Sequence, residues 1–229
     1  VALFTLAATK ENSFAAFALG KLYLAGDAAL PRDPAAALKW LTYAAELGNQ
    51  FAQYRLGKLL LKGDDGIPKD VITAIRWLTA AAKQENGYAE YALALVYLTG
   101  EDAPKDSVKA LSLLKRSAGR GNQFAQYRLG KLLLQGEDAP KDVKAAIRWL
   151  TAAAEQGNQY AQYALGKLYL LGKEVPKDRS SAIKWFQLAA DQGNEYAQYF
   201  LKHMDDRLGQ PPVAAVISLF HHLANIFQE

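Results

Sequence analysis

The sequence predicts an all-α solenoid of antiparallel helix pairs. Three observations predict it: a motif that returns every 36 or 37 residues, apolar residues at helical spacing inside each copy, and capping residues at the same places in every copy. The copies begin FAAFALGKLYLAG at Phe14, FAQYRLGKLLLKG at Phe51, YAEYALALVYLTG at Tyr88, FAQYRLGKLLLQG at Phe124 and YAQYALGKLYLLG at Tyr160. A degenerate sixth, YAQYFLKHMDDRLG, begins at Tyr196. Residues 14–195 therefore divide into five repeats. A half repeat over 1–13 precedes them, and a degenerate repeat with a capping helix over 196–229 follows.

The half repeat, Leu3-Phe4-Thr5-Leu6-Ala7-Ala8, aligns with the second helix of a preceding repeat, with Leu3 at a tryptophan position. That predicts a longer protein upstream, and an apolar end suited to self-association. In each full copy the first helix carries a stripe such as Ala52, Leu56, Leu59 and Leu60. Glycines at 26, 63, 100, 136 and 172 fall where a C-cap belongs. The loop that follows ends in Asp33, Asp70, Asp106, Asp142 or Asp178, each suited to N-cap the second helix. The second helix shows Ala74, Trp77, Leu78 and Ala81 on one face and closes on Gly-Asn, as at Gly48-Asn49 and Gly121-Asn122. Mid-helix Gly20, Gly57, Gly130 and Gly166 predict a neighbouring backbone too close for a side chain, since glycine there costs about 1 kcal/mol against alanine. Trp40, Trp77, Trp149 and Trp185 are expected as large core fillers. After Pro211-Pro212, residues 213–227 read as a last apolar helix.

These residues carry a resemblance. The Leu-Gly of the first helix, the loop glycine, the Asp, the Ala-x-x-Trp and the Ala-Ala…Gly are similar to the Sel-1-like repeat family, relatives of the tetratricopeptide repeats. The resemblance implies a right-handed superhelix, with first helices lining a concave face, that works as a non-catalytic adaptor for protein complexes. Some secreted members rely on disulfides, and this sequence has no cysteine. The segment from Leu219 to Phe227 resembles the helix that follows such repeats in conjugative relaxases of Gram-positive bacteria. That likeness implies, as the alternative function, an accessory region contacting DNA or transfer partners.

Composition narrows the function. The 229 residues are 51% hydrophobic, and no run is apolar enough to predict a membrane span. The absence of cysteine rules out disulfides, thiolate metal sites and cysteine nucleophiles. Together with the absence of an export pattern, it points to the bacterial cytoplasm. No nucleotide loop, G-x-S-x-G or H-E-x-x-H occurs. His221 and His222 are adjacent and face different sides of a helix, so with His203, Asp205 and Asp206 they read as capping residues. No catalytic residue, cofactor or metal is expected.

The residues that point to binding lie on the first helices. Phe51, Tyr54, Arg55 and Lys58 share one side of the second copy, and Phe124, Tyr127, Arg128 and Lys131 share it in the fourth. Tyr91, Tyr163 and Lys167 continue the stripe, and Leu95 replaces its lysine in the third copy. An aromatic and basic ladder suits a protein or peptide segment, acidic in character, with Tyr and Arg as anchors. The same aromatics also suit packing between neighbouring first helices. A second ladder, Lys39, Arg76, Arg148 and Lys184, keeps nucleic acid as the lesser reading against a net charge of only +4.

Overall fold

The computed structural model describes residues 2–27, 29–63 and 66–203. The expected last helix over 213–227, with Asp205, Asp206, His221 and His222, lies outside the described residues. Two compact units divide at residue 153. The first holds α1 (Ala2–Ala8), α2 (Ser13–Ala25), α3 (Pro34–Glu46), α4 (Gln50–Lys62), α5 (Val71–Lys83), α6 (Gly87–Thr99), α7 (Ser107–Gly119), α8 (Gln123–Gln135) and nearly all of α9 (Val143–Glu155). The second holds α10 (Gln159–Leu171), α11 (Arg179–Asp191) and α12 (Glu195–His203). The described residues contain helices and no strand.

Caps set the helix ends. The Asp70 carboxylate accepts the Thr73 amide at 3.0 Å, and Asp33, Asp106, Asp142 and Asp178 accept in the same register. At Asp178 the Ser181 hydroxyl and amide and then the Ser180 hydroxyl hold the carboxyl down at about 2. The asparagine of each Gly-Asn opens the next first helix instead of closing the last one. Asn49 accepts the Phe51 and Ala52 amides, and Asn12, Asn86, Asn122, Asn158 and Asn194 cap likewise. The glycine before the asparagine adopts a positive φ, +84° at Gly48. In the second copy Glu85 takes that conformation at +66°, a left-handed backbone that costs a non-glycine residue about 1 kcal/mol.

The mid-helix glycines are close-packed, against a partner other than the one expected. A Cβ on Gly57 would lie 2.6 Å from Leu78 Cγ, and one on Gly20 or Gly130 would meet Leu41 or Leu150. A side chain of the second helix, more than its backbone, fills the space. The tryptophans also need correction. Trp40, Trp77, Trp149 and Trp185 are half-buried, and the next residue in each case (Leu41, Leu78, Leu150, Phe186) is fully buried. The wide indole spans the rim between helices while the leucine or phenylalanine points inward. Arg76 lies over the Trp77 ring at 5.0 Å, which fits a rim position. In the second unit Phe186 stacks on Phe200 at 5.3 Å and packs against Tyr163.

Successive repeats of the first unit are clamped by buried side-chain amides. Gln53 donates through Nε2 to the Ala45 carbonyl at 3.1 Å and accepts from Gln84 Nε2 at 2.9 Å. This adds a second donor to a carbonyl at the end of α3 that already accepts the Gly48 amide at 3.0 Å. Gln126 donates to Ala118 in the same way, as do Gln162 to Ala154 and Gln198 to Ala190 within the second unit. The third copy differs, because Glu90 stands in the glutamine's place with no exposed surface. A carboxylate cannot donate, so the Ala82 carbonyl accepts from Arg116 at 3.3 Å instead. Glu90 is ion-paired with Arg116 at 2.6 Å and Arg120 at 3.3 Å. Arg120 occupies the register of Gln84 and also holds Glu85 at 2.9 Å. A neutral amide clamp has been exchanged, as a set, for a charged one. The loops add ion pairs between neighbours, Lys69 with Asp102 and Lys105 with Asp138.

Two stability predictions follow from this packing. Gly57→Ala trades about 1 kcal/mol of helix propensity against a larger overpacking cost and should destabilise by about 1 kcal/mol net. Gly119→Ala meets nothing within 4 Å and should be neutral or stabilise by up to about 1 kcal/mol. Urea unfolding reads both, and equal shifts would refute the close-packing account. Glu90→Ala should cost about 3 kcal/mol, the low side for a broken buried pair because both arginines still reach water. Glu90→Gln with Arg120→Gln rebuilds the amide clamp and should stay within about 1 kcal/mol of the parent. A double variant as unstable as Glu90→Ala would show that the two clamps are not equivalent.

Candidate partner-binding face

The first unit places Phe51, Tyr54, Arg55 and Lys58 on α4, Tyr91 and Leu95 on α6, and Phe124, Tyr127, Arg128 and Lys131 on α8. On α4 this stripe lies opposite Ala52, Leu56 and Leu60, whose burial turns it outward. Tyr163 and Lys167 sit on α10 of the second unit, where Tyr163 is buried against Phe186 and Tyr196. Burial, then the nearby Lys173, pushes the Lys167 ammonium below its ordinary range.

The aromatics form rungs between neighbouring first helices. Phe17 meets Phe51 at 6.4 Å, Tyr54 meets Tyr88 at 5.8 Å, and Tyr91 meets Phe124 at 6.2 Å between ring centroids. Each rung joins a half-buried ring to one that starts the next helix and keeps an open edge: Phe51 is 47% exposed, Tyr88 54% and Phe124 43%. The rings therefore pack between helices and also offer apolar edges to the surface. Burial raises the Tyr54 hydroxyl, with Arg55 opposing, and raises Tyr91, with Arg128 opposing.

Charge on this layer is one-sided. Helices α2, α4, α6 and α8 carry Lys21, Arg55, Lys58, Lys62, Arg128 and Lys131, and their only carboxylate is the buried, ion-paired Glu90. The second ladder, Lys39, Arg76 and Arg148 in this unit, belongs to α3, α5 and α9 and so to the other helix layer. That layer is basic as well, with Lys83, Lys109, Lys115, Arg116 and Lys144 besides the ladder and Glu46 as its carboxylate within the first unit.

Between α4 and α6 the surface dips into a groove of about 350 Å³. Leu61, Ala92, Leu95 and Val96 give it apolar walls, Lys58 and Lys62 border it, and Thr99, Glu101 and Asp102 close one end. Asp102 is held by Lys69. Leu95 is thus part of a cleft as well as a break in a charge ladder. The amide and Glu90 clamps were missed from the sequence, although a glutamine two residues after the helix-starting aromatic (Gln53, Gln126, Gln162, Gln198), becoming glutamate at Glu90 and alanine at Ala16, was visible there. Among the described residues no group of three His, Asp or Glu could hold a metal ion, and no helix is long and apolar enough to cross a membrane.

Comparison with known proteins places these features. The Sel1 repeat model matches residues 13–49, 50–86, 87–122, 123–158 and 159–194. A Sel1 repeat protein from Oxalobacter formigenes is 34% identical, with a TM-score of 0.79 over 88% of this chain and 58% of its own. A protective antigen of uropathogenic Escherichia coli with the same repeat fold is 34% identical, with a TM-score of 0.79 over 90% of this chain and 44% of its own. An immunity protein from Pseudomonas aeruginosa, 23% identical with a TM-score of 0.56 over 86% of this chain and 72% of its own, shares the fold. The chain thus spans about half the length of the first two. No curated protein matches it. Repeats of this family generally form non-catalytic scaffolds that mediate protein–protein interaction. With five consecutive copies covering residues 13–194, the chain belongs to the Sel1 repeat family.

Proposed function

We propose that the first unit binds an acidic protein segment along its first-helix face, through Arg55, Lys58, Arg128 and Lys131 and the open edges of Phe51 and Phe124. The observation that carries this reading is the combination on one set of helices: six cations and no exposed carboxylate on α2, α4, α6 and α8, beside the open ring edges of Phe51, Tyr88 and Phe124. Such a field steers an acidic segment and fixes its register, while the aromatic edges give contact area that salt does not screen. The rungs hold those edges in place before any partner arrives, which lowers the ordering cost of association. Tyr54, Tyr91 and Tyr127 support the face as packing residues. Tyr163, expected on this face, is buried against Phe186 and Tyr196 in the second unit and is a packing residue there.

The test is fluorescence anisotropy of an aromatic-containing acidic peptide pool and of duplex DNA across a salt series. Peptide binding should fall about tenfold or more in Arg55→Glu with Lys58→Glu, and should persist in part at high salt. DNA binding with a steep salt slope, abolished by the same variant, would replace this reading with phosphate recognition. Peptide affinity unchanged by the double charge reversal would remove the face from consideration.

A further inference from the structure

The stripe on the first unit is basic at every first helix that has the Gly-Lys pair, and apolar at α6. Lys58 on α4, Leu95 on α6 and Lys131 on α8 hold the same register of three successive helices. On the α4 side of the middle one lies the groove, lined by Leu61, Ala92, Leu95 and Val96 together with Lys58 and Lys62. Charge and shape therefore alternate across the layer as cation, apolar cleft, cation.

We infer that the segment recognised here carries one apolar side chain flanked on both sides, at three residues' distance, by carboxylates: acidic-x-x-apolar-x-x-acidic. This rests on the acidic-segment reading and specifies its ligand. The spacing comes from two lengths. Packed neighbouring helices stand about 8–10 Å apart, and an extended polyproline-type segment rises about 3.1 Å per residue with three residues per turn. Every third side chain of such a segment thus returns to the same face after about 9 Å, one helix further on. A carboxylate over Lys58, with Arg55 one turn away, places the next facing side chain in the Leu95 groove and the one after it over Lys131 and Arg128. The groove takes an aliphatic or aromatic side chain of ordinary size against Leu61, Ala92, Leu95 and Val96, while Lys58 and Lys62, which also line it, are engaged by the flanking carboxylate. Glu101, at the closed end, disfavours one further. The motif reads the same in both chain directions, so polarity is left to other contacts.

Three labelled peptides test this on the whole chain: Asp-Pro-Ser-Leu-Pro-Ser-Asp, its isomer Leu-Pro-Ser-Asp-Pro-Ser-Asp, and Asp-Pro-Ser-Asp-Pro-Ser-Asp. The parent protein should prefer the first to either other by about tenfold, the worth of one well-buried leucine contact. Leu95→Lys should reverse the preference, weakening the first peptide and tightening the third. Lysine already occupies this register at positions 21, 58, 131 and 167, so the variant is compatible with the fold, and its melting curve checks that. Equal affinities for all three peptides that still fall in the Arg55→Glu, Lys58→Glu variant would overturn this motif and leave the acidic-segment reading intact. If none of the three binds at low salt while the acidic pool does, the motif is wrong. If neither the three nor the pool binds, both readings fail.

Discussion

The contact between a mid-helix glycine and the large side chain of its paired helix decides what the rest of this molecule can present. In the second copy Gly57 and Leu78 touch so closely that even a methyl group has no room. A helix can approach that near only on one face. Once Gly57 is turned inward, Ala52, Leu56 and Leu60 follow it, because they lie within the same half of the helical wheel. Arg55, Lys58 and Lys62 are then left on the outer half. The aromatic and basic stripe is thus a geometric consequence of core packing, and its cations on α4 are displayed by the contact of Gly57 with Leu78.

The third copy shows how that constraint tolerates change. Ala94 replaces the glycine and is fully buried, while Leu113 replaces the tryptophan and is drawn into the same buried cluster. A larger residue at one place in this cluster and a smaller one at another alter the volume in opposite directions, as a close-packed interior requires. The junction below it changes its chemistry too, from glutamine amides to Glu90 with Arg116 and Arg120. A buried carboxylate beside two half-exposed guanidinium groups is weak ground for added stability, since desolvation offsets most of the attraction. What the geometry shows is a matched set: the buried Glu90 is paired with two arginines of the second helix in its own copy, Arg116 on α7 and Arg120 at its end.

The periodic parts of the fold were legible from residue types. Glycine at a C-cap, aspartate before a second helix and apolar spacing of three and four are local signals, and local physics decides them. Asn49 and its counterparts were read as ends of helices because Gly-Asn commonly terminates one. Only the hydrogen bonds to the Phe51 and Ala52 amides show that the asparagine starts the next helix. The tryptophans misled through size, since the residue that fills the core is chosen by direction. Leu78 follows Trp77 by 100° of helix rotation, and that turn puts the smaller side chain at the centre. The binding stripe was legible as a pattern, yet its depth was not. The groove beside Leu95 depends on how α4 and α6 lean together, which no residue in either helix states alone.

The aromatic rungs bear on why a binding face should be built this way. A flexible aromatic on a bare surface loses rotamer freedom when a partner arrives, and a part of the contact energy is lost with it. Phe51 and Phe124 are each held against a ring of the preceding repeat, Phe17 and Tyr91, so their orientation is fixed before contact. The same ring that steadies one repeat against the next therefore keeps about half its surface for a ligand. In the proposed complex the charge attracts an acidic segment at long range and the pre-oriented ring fixes where it settles. On α4 and α8 ring and cation fall one helical turn apart, Phe51 with Arg55 and Phe124 with Arg128, and α6 between them keeps the ring, Tyr88, without the charge.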